Sequence, residues 1–134
     1  MPKNFLKEIK TLSSGIGDLL EFNSQLIDAL NTSTEGIAIL DADGCYIWLN
    51  KAHETMFGYD HKELIGQSWT VLYNEEDLDF FAENVFPVIA TDGKWKGEAT
   101  AIKKDKVTKV NEMLYLTALD NGGLICTCIA KDEN

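Results

Sequence analysis

Residues 36–66, GIAILDADGCYIWLNKAHETMFGYDHKELIG, constrain the chain most, because strand, hairpin, strand and two short helices follow with no spare residue. Ile37 to Leu40 and Cys45 to Leu49 are rich in β-branched and aromatic residues, which favour strands. Asp41-Ala42-Asp43-Gly44 between them carries the glycine that a tight hairpin needs at positive φ. The period then changes. Ala52, Met56 and Phe57 share a helical face, Gly58 can end that helix in a left-handed conformation, and Asp60 with Glu63 has the spacing of a capping box.

A second pattern runs through residues 4–31. Phe5, Ile9, Leu12, Ile16, Leu19, Asn23, Leu26 and Leu30 alternate in spacing like the seam of a coiled coil, with Ile9, Ile16, Asn23 and Leu30 at a and Phe5, Leu12, Leu19 and Leu26 at d. Isoleucine at a, leucine at d and one buried asparagine favour a parallel homodimer in fixed register. Ser13-Ser14-Gly15-Ile16-Gly17 is a poor helical stretch that can break the seam. Leu20, Phe22 and Ile27 at e and g widen the apolar face beyond what two strands require. An amphipathic helix covering one face of a monomer is the alternative reading. The polar run Thr32-Ser33-Thr34-Glu35 connects this segment to the rest, so the chain reads as a dimerisation helix over 1–31 and a domain over 32–134.

After Gly66 a short apolar segment leads to a helix from Glu75, with Asn74 as its cap and acids at its positive end. Leu78, Phe81, Val85 and Ile89 form its buried stripe, and Pro87 is expected to kink or end it. Lys94 to Lys103, Val110 to Leu119 and Leu124 to Ala130 read as three strands, the last two joined by a primed turn at Asn121-Gly122-Gly123. The expected fold is α+β: a five-stranded antiparallel sheet with short helices on one face and an N-terminal amphipathic helix.

At 134 residues the chain suits one small core, and its net charge of −10 would repel the phosphates of nucleic acid and of anionic membranes. No apolar run approaches the roughly 18 residues of a membrane span, and no secretory signal follows the first lysines, so a cytoplasmic location is expected. The three cysteines, Cys45, Cys126 and Cys128, fit a reducing compartment. Cys126-x-Cys128 places two thiols on one strand face without the spacing of a redox or zinc motif, which makes them structural.

The order of elements, with Asp41-x-Asp43-Gly44, Asn50-x-Ala52 and Met56-Phe57-Gly58-Tyr59-x-x-x-Glu63-Leu64-Ile65-Gly66, resembles the PAS domain family over residues 26–132. Trp95-x-Gly97-Glu98 and Asp132 agree with it. The resemblance implies a sensory and dimerisation module rather than a catalyst, probing a small molecule, flavin or haem in a cavity between the sheet and the central helices. By that resemblance the walls draw on Ile39, His53, Met56, Ile65, Trp69, Leu72, Phe81, Val85, Leu116 and Ile125, each of which can equally be a plain core residue. Light-sensing flavin-adduct members carry a cysteine after Gly66, where this chain has Trp69. Haem-binding members commonly ligate iron from the long helix, and no histidine falls between Tyr73 and Gly93. A non-covalent flavin or a small metabolite remains open as the ligand.

His53 stands where many members have phenylalanine, and reads as a packing histidine ahead of a ligand or pH sensor. His53 and His61 lack metal-site spacing, and the Asp41 turn fails as a calcium loop because Tyr46 and Ala52 occupy the positions of its glycine and glutamate. Nucleophile, acid-base and phosphate-loop arrangements are absent. The sequence therefore reads as a sensor module of a histidine kinase-type or related signalling protein, whose output belongs to an effector domain or partner protein. The alternative is a ligand-free interaction module.

Overall fold

The computed structural model describes residues 21–131. The chain divides between Thr32 and Ser33 into two compact units. In the first, residues 21–32 form helix α1, which carries Asn23, Leu26 and Leu30 of the expected seam. Phe22, Leu26 and Ile27 are exposed on it. Phe5, Ile9, Leu12, Ile16, Leu19 and the glycine-bearing stretch 13–17 lie outside the described residues.

The second unit is built on one antiparallel sheet of β1 (Gly36–Leu40), β2 (Tyr46–Leu49), β3 (Lys94–Ile102), β4 (Lys109–Ala118) and β5 (Leu124–Ala130), in the order β2-β1-β5-β4-β3. Between β2 and β3 run α2 (Lys51–Phe57), α3 (His61–Leu64), a 3₁₀ turn (Trp69–Leu72), α4 (Glu75–Phe80), a π turn (Phe81–Val85) and α5 (Phe86–Asp92). This is the five-stranded sheet with short helices that the sequence implies.

Two hairpins close by the same device. In the first, Asp41 N donates to Cys45 O at 2.9 Å and Gly44 N to Asp41 O at 3.0 Å, with Gly44 at φ 80°. In the second, Leu119 N donates to Gly123 O at 2.9 Å and Gly122 N to Leu119 O at 3.0 Å, with Gly122 at φ 89°. Each is a three-residue loop, a turn followed by one left-handed glycine. The primed turn expected at 121–123 is therefore corrected, since a primed turn needs positive φ at its first central residue and Asp120 does not have it. Asp41 Oδ1 tightens the first loop by accepting from Asp43 N and Cys45 N, both at 2.9 Å.

The helices begin and end where their local chemistry dictates. Asn50 Oδ1 accepts from His53 N to cap α2, and Gly58 at φ 81° ends it. Asp60 and Glu63 form the capping box of α3, and Asn74 Oδ1 caps α4 through Asp77 N at 3.0 Å. Pro87 does not end the long helix. The missing N–H falls in the first turn of α5, immediately after the chain has widened into the π turn, so the backbone continues past it.

Alternation along the strands separates two faces. Ala38, Leu40, Leu49, Ala101, Val110, Leu114, Leu116 and Cys128 point inward and are buried with Phe57, Leu64, Leu72, Phe81, Val85 and Ile89 from the helices. Burying each large member of this core contributes about 1.5–3 kcal/mol. Ile39 and Ile125, in register on β1 and β5, lie on the opposite face, one position out of phase with Leu40 and Leu124.

Candidate functional site

A segment strapped onto β2 places the first wall of an internal cavity. Tyr46 N donates to Gln67 O at 2.9 Å, Gly66 N to Tyr46 O at 2.8 Å and Trp69 N to Gly44 O at 3.0 Å. These bonds hold the Trp69 indole over the first hairpin so closely that a Cβ at Gly44 would lie 2.9 Å from its Cδ1. Trp69 then meets Phe81, Phe86 and Tyr73 with ring centroids 5.1, 5.6 and 5.7 Å apart, and Tyr73 meets Phe81 at 4.8 Å. Edge-on contacts at these distances are favourable packing, so the aromatic group fills volume between sheet and helices.

What is left is a cavity of about 30 Å³. Of the residues assigned to its wall from sequence, His53, Trp69, Leu72, Phe81 and Leu116 line it. The other five do not. Ile39 and Ile125 belong to the outer sheet face, Ile65 is exposed, Val85 is wholly buried elsewhere in the core, and Met56 packs at the core's margin. Tyr46, Tyr73, Cys126 and Cys128 line the cavity in addition. Parity does not single out Tyr46, Cys126 and Cys128: Cys126 and Cys128 lie on a strand apolar on both faces, and Tyr46, out of step with the inward Leu49 of its own strand, is paired with Leu40 beyond an irregularity in the register.

Three buried polar side chains surround this region: Asn50, His53 and Glu112. Asn50 is satisfied, its Oδ1 accepting from Ile37 N at 2.8 Å and His53 N at 3.1 Å while its Nδ2 donates to Glu35 O at 3.0 Å. His53 Nε2 lies 3.4 Å from Tyr46 Oη, and its Nδ1 is buried without a partner. Burial lowers the His53 pKa to about 4, so the ring is neutral. Glu112 Oε1 accepts from Tyr73 Oη at 2.7 Å, and Oε2 is buried without a partner. Burial raises the Glu112 pKa to about 7, opposed by the Tyr73 hydrogen bond. Burial likewise lifts the Cys126 thiol to about 12 and pushes the Cys128 thiol well above its usual value, which makes both poor nucleophiles. Glu112 escapes a reading for motifs, yet its signal is present: it alternates in phase with Val110, Leu114 and Leu116.

Among the described residues no group of three His, Cys, Asp or Glu could hold a metal ion. Nor is any helix among them long and apolar enough to cross a membrane. The cavity is about tenfold below the ~300 Å³ at which ordinary cofactor pockets begin, so the side chains as packed do not fit a flavin or a haem.

Comparison with known proteins gives this geometry a family. The fold superposes on the PAS domain of a protein from Colwellia psychrerythraea with a TM-score of 0.76 at 23% identity, covering 84% of this chain and 99% of that one. A domain of the sensory box sensor histidine kinase/response regulator from Geobacter sulfurreducens matches at TM-score 0.66 and 26% identity, covering 84% and 96%. The PAS domain, in complex with ethanol, of a LuxR-family transcriptional regulator from Burkholderia thailandensis matches at TM-score 0.69 and 18% identity, covering 77% and 94%. No match is found among curated proteins. The PAS domain family model matches residues 34–134, more than half of the sequence, and the chain belongs to the PAS domain family.

Proposed function

We propose that this chain is the sensory module of a histidine kinase-type or related signalling protein, responding to a small molecule in the core cavity. PAS domains are sensory rather than catalytic, so a catalytic output would lie in an effector domain or partner protein. The observation that carries the reading is an inner-face cavity lined in part by His53, whose buried Nδ1 has no partner, on a fold shared with a domain of a sensor histidine kinase. The Burkholderia relative in complex with ethanol supports a ligand of a few heavy atoms. A change in the cavity displaces β4 and β5 and reaches α1 through the short connection of residues 33–35. The seam from Phe5 to Leu30 then pairs two copies as a parallel homodimer in the cytoplasm, with neither nucleic acid nor membrane as a partner.

A second reading is favoured by the same small volume. Trp69, Phe81 and Phe86 fill the space a larger ligand would need, as in a ligand-free interaction module. Native mass and the absorption spectrum of purified protein test both. The sensory reading with a small ligand expects no flavin or Soret band and a dimeric mass, and a tightly held chromophore would overturn it. For the seam, Asn23→Leu is expected to change oligomeric state or register in light scattering, because the polar a position that sets both is removed. An unchanged mass and an unchanged cross-linking register would count against it.

A further inference from the structure

We propose that a second copy of this chain pairs antiparallel along the free edge of β3, joining two sheets about a twofold axis with each Lys96 opposite Glu98 of the partner subunit. The interface is independent of the sensory reading and is separate from the helix seam.

The two edges of the sheet are built differently. β2 ends one side with four residues, an irregular register against β1 and a strap across its backbone, where Tyr46 N donates to Gln67 O and Gly66 N to Tyr46 O. β3 ends the other side with nine residues, paired to β4 in unbroken register from Lys94↔Thr117 to Ile102↔Lys109. Among the described residues no strand covers its far side, and no bulge or proline interrupts it. A long, regular edge leaves a row of backbone N–H and C=O groups that another strand can take up.

Charged side chains usually keep such an edge apart; here their order selects a partner. Val110, Glu112, Leu114 and Leu116 of β4 point inward, so Lys94, Lys96, Glu98 and Thr100, which oppose the residues between and beyond them, share the outer face. Lys94 and Lys96 have no ion pair among the described residues. Glu98 Oε1 accepts from Lys131 Nζ in an exposed pair, and Oε2 is left for a second cation. An antiparallel twofold pairing keeps the outer faces together, so its register is fixed by the residue at its centre. Centred on Gly97, it sets both Lys96 side chains against Glu98 of the partner subunit and both Lys94 side chains against Thr100 of the partner subunit. Centred on residue 96 it opposes two lysines, and centred on residue 98 two glutamates, and like charges directly opposite are destabilising. Of these three registers only the first joins opposite charges without opposing like ones.

The inner side accepts the same register. Gly97 is covered by Trp95 of its own strand so closely that a Cβ there would lie 2.5 Å from the indole Cζ2. Trp95 itself comes to stand opposite Ala99 of the partner subunit, a small residue. Phe80, 40% exposed, lies beside Trp95 with ring centroids 6.4 Å apart, so apolar surface adjoins this edge.

The test is hydrogen exchange with light scattering on the full chain over a range of concentrations. Amides within residues 94–100 are expected to gain protection as concentration rises, which pairing through the helix seam would not give them. Lys96→Glu and Glu98→Lys each oppose like charges at both contacts and are expected to weaken the association at least about tenfold. Mixed in equal amounts, the two variants restore opposite charges and are expected to pair with each other. The double variant in one chain is expected to recover the wild-type protection, and it supplies the test should either single variant not fold. Protection independent of concentration, single variants that associate like the wild type, or a double variant that stays weak would each overturn the interface. A mass that rises with concentration while the β3 amides stay unprotected overturns it as well and assigns the association to another surface.

Discussion

Asn50 and Glu112 are both fully buried polar side chains, one at the junction of β2 and α2, the other in the middle of β4. Asn50 bonds to Ile37 N, Glu35 O and His53 N and ties the start of β1 to the start of α2. Glu112 makes one and leaves an oxygen without a partner. A satisfied buried amide specifies a structure, whereas a half-satisfied buried carboxyl costs stability that only another role can justify. His53 sits between the two cases, its backbone held by Asn50 and its ring short of a partner. The scaffold and the cavity wall thus meet on one residue.

The largest effect is expected at the satisfied site. Asn50→Ala removes the bonds to Ile37 N, Glu35 O and His53 N and leaves these groups to find other partners, which should cost about 3–5 kcal/mol by urea unfolding at neutral pH. A loss below about 1 kcal/mol would show that water replaces the side chain and that Asn50 is no clamp.

The next effects are opposite in sign and come from the two half-satisfied groups. Glu112 has a folded pKa near 7 against an ordinary value of 4.5, so the folded state holds the extra proton between these values. Stability from this group is full below about pH 4.5 and lost as pH rises through 7, a total of about 3 kcal/mol. His53 has a folded pKa near 4 against 6.5, so its contribution is full above about pH 6.5 and lost as pH falls through 4, again about 3 kcal/mol. Between pH 4.5 and 6.5 the slopes cancel and the wild-type profile is expected to be nearly flat. Glu112→Gln should keep only the rise with pH, and His53→Phe only the fall. Parallel profiles for all three proteins would show that neither group is buried as described.

Around Asn50 the hairpin at Asp41–Gly44 and the Gly58 stop were legible as local chemistry, whereas Asn50 itself entered only as part of the Asn50-x-Ala52 motif, because its bonds to Glu35 and Ile37 cross the hairpin. The cavity wall was half legible. His53, Trp69, Leu72, Phe81 and Leu116 lie on elements with one clear apolar face, and the structure brings them together. Ile39 and Ile125 belong to β1 and β5, which are apolar on both sides, so alternation gives no phase and either isoleucine or its leucine neighbour could face inward. The register, with its irregularity between Ile39 and Leu40, settles that choice in favour of Leu40 and Leu124. For Pro87 the expectation is a kink or an end, and the structure places it in the first turn of α5, directly after the π turn at Phe81–Val85 that interrupts the helical run.

The smallest effect sharpens the contrast most. Tyr73→Phe deletes one hydroxyl and leaves Glu112 with no partner at either oxygen, where Asn50→Ala would strip several groups at once. At pH 5 the Glu112 carboxyl is protonated, and the loss should be only about 1 kcal/mol, the net worth of one hydrogen bond. The Tyr73 bond lowers the Glu112 pKa, so its removal moves that pKa further up. The pH-dependent loss must then extend to higher pH than in the wild type, and the two stability curves should diverge above pH 7 as ionisation costs the variant more. Stability measured at pH 5 and pH 9 checks this. Equal differences at the two values would mean that Tyr73 packs against Glu112 without governing its proton, and that this buried pair is as inert as the Asn50 clamp.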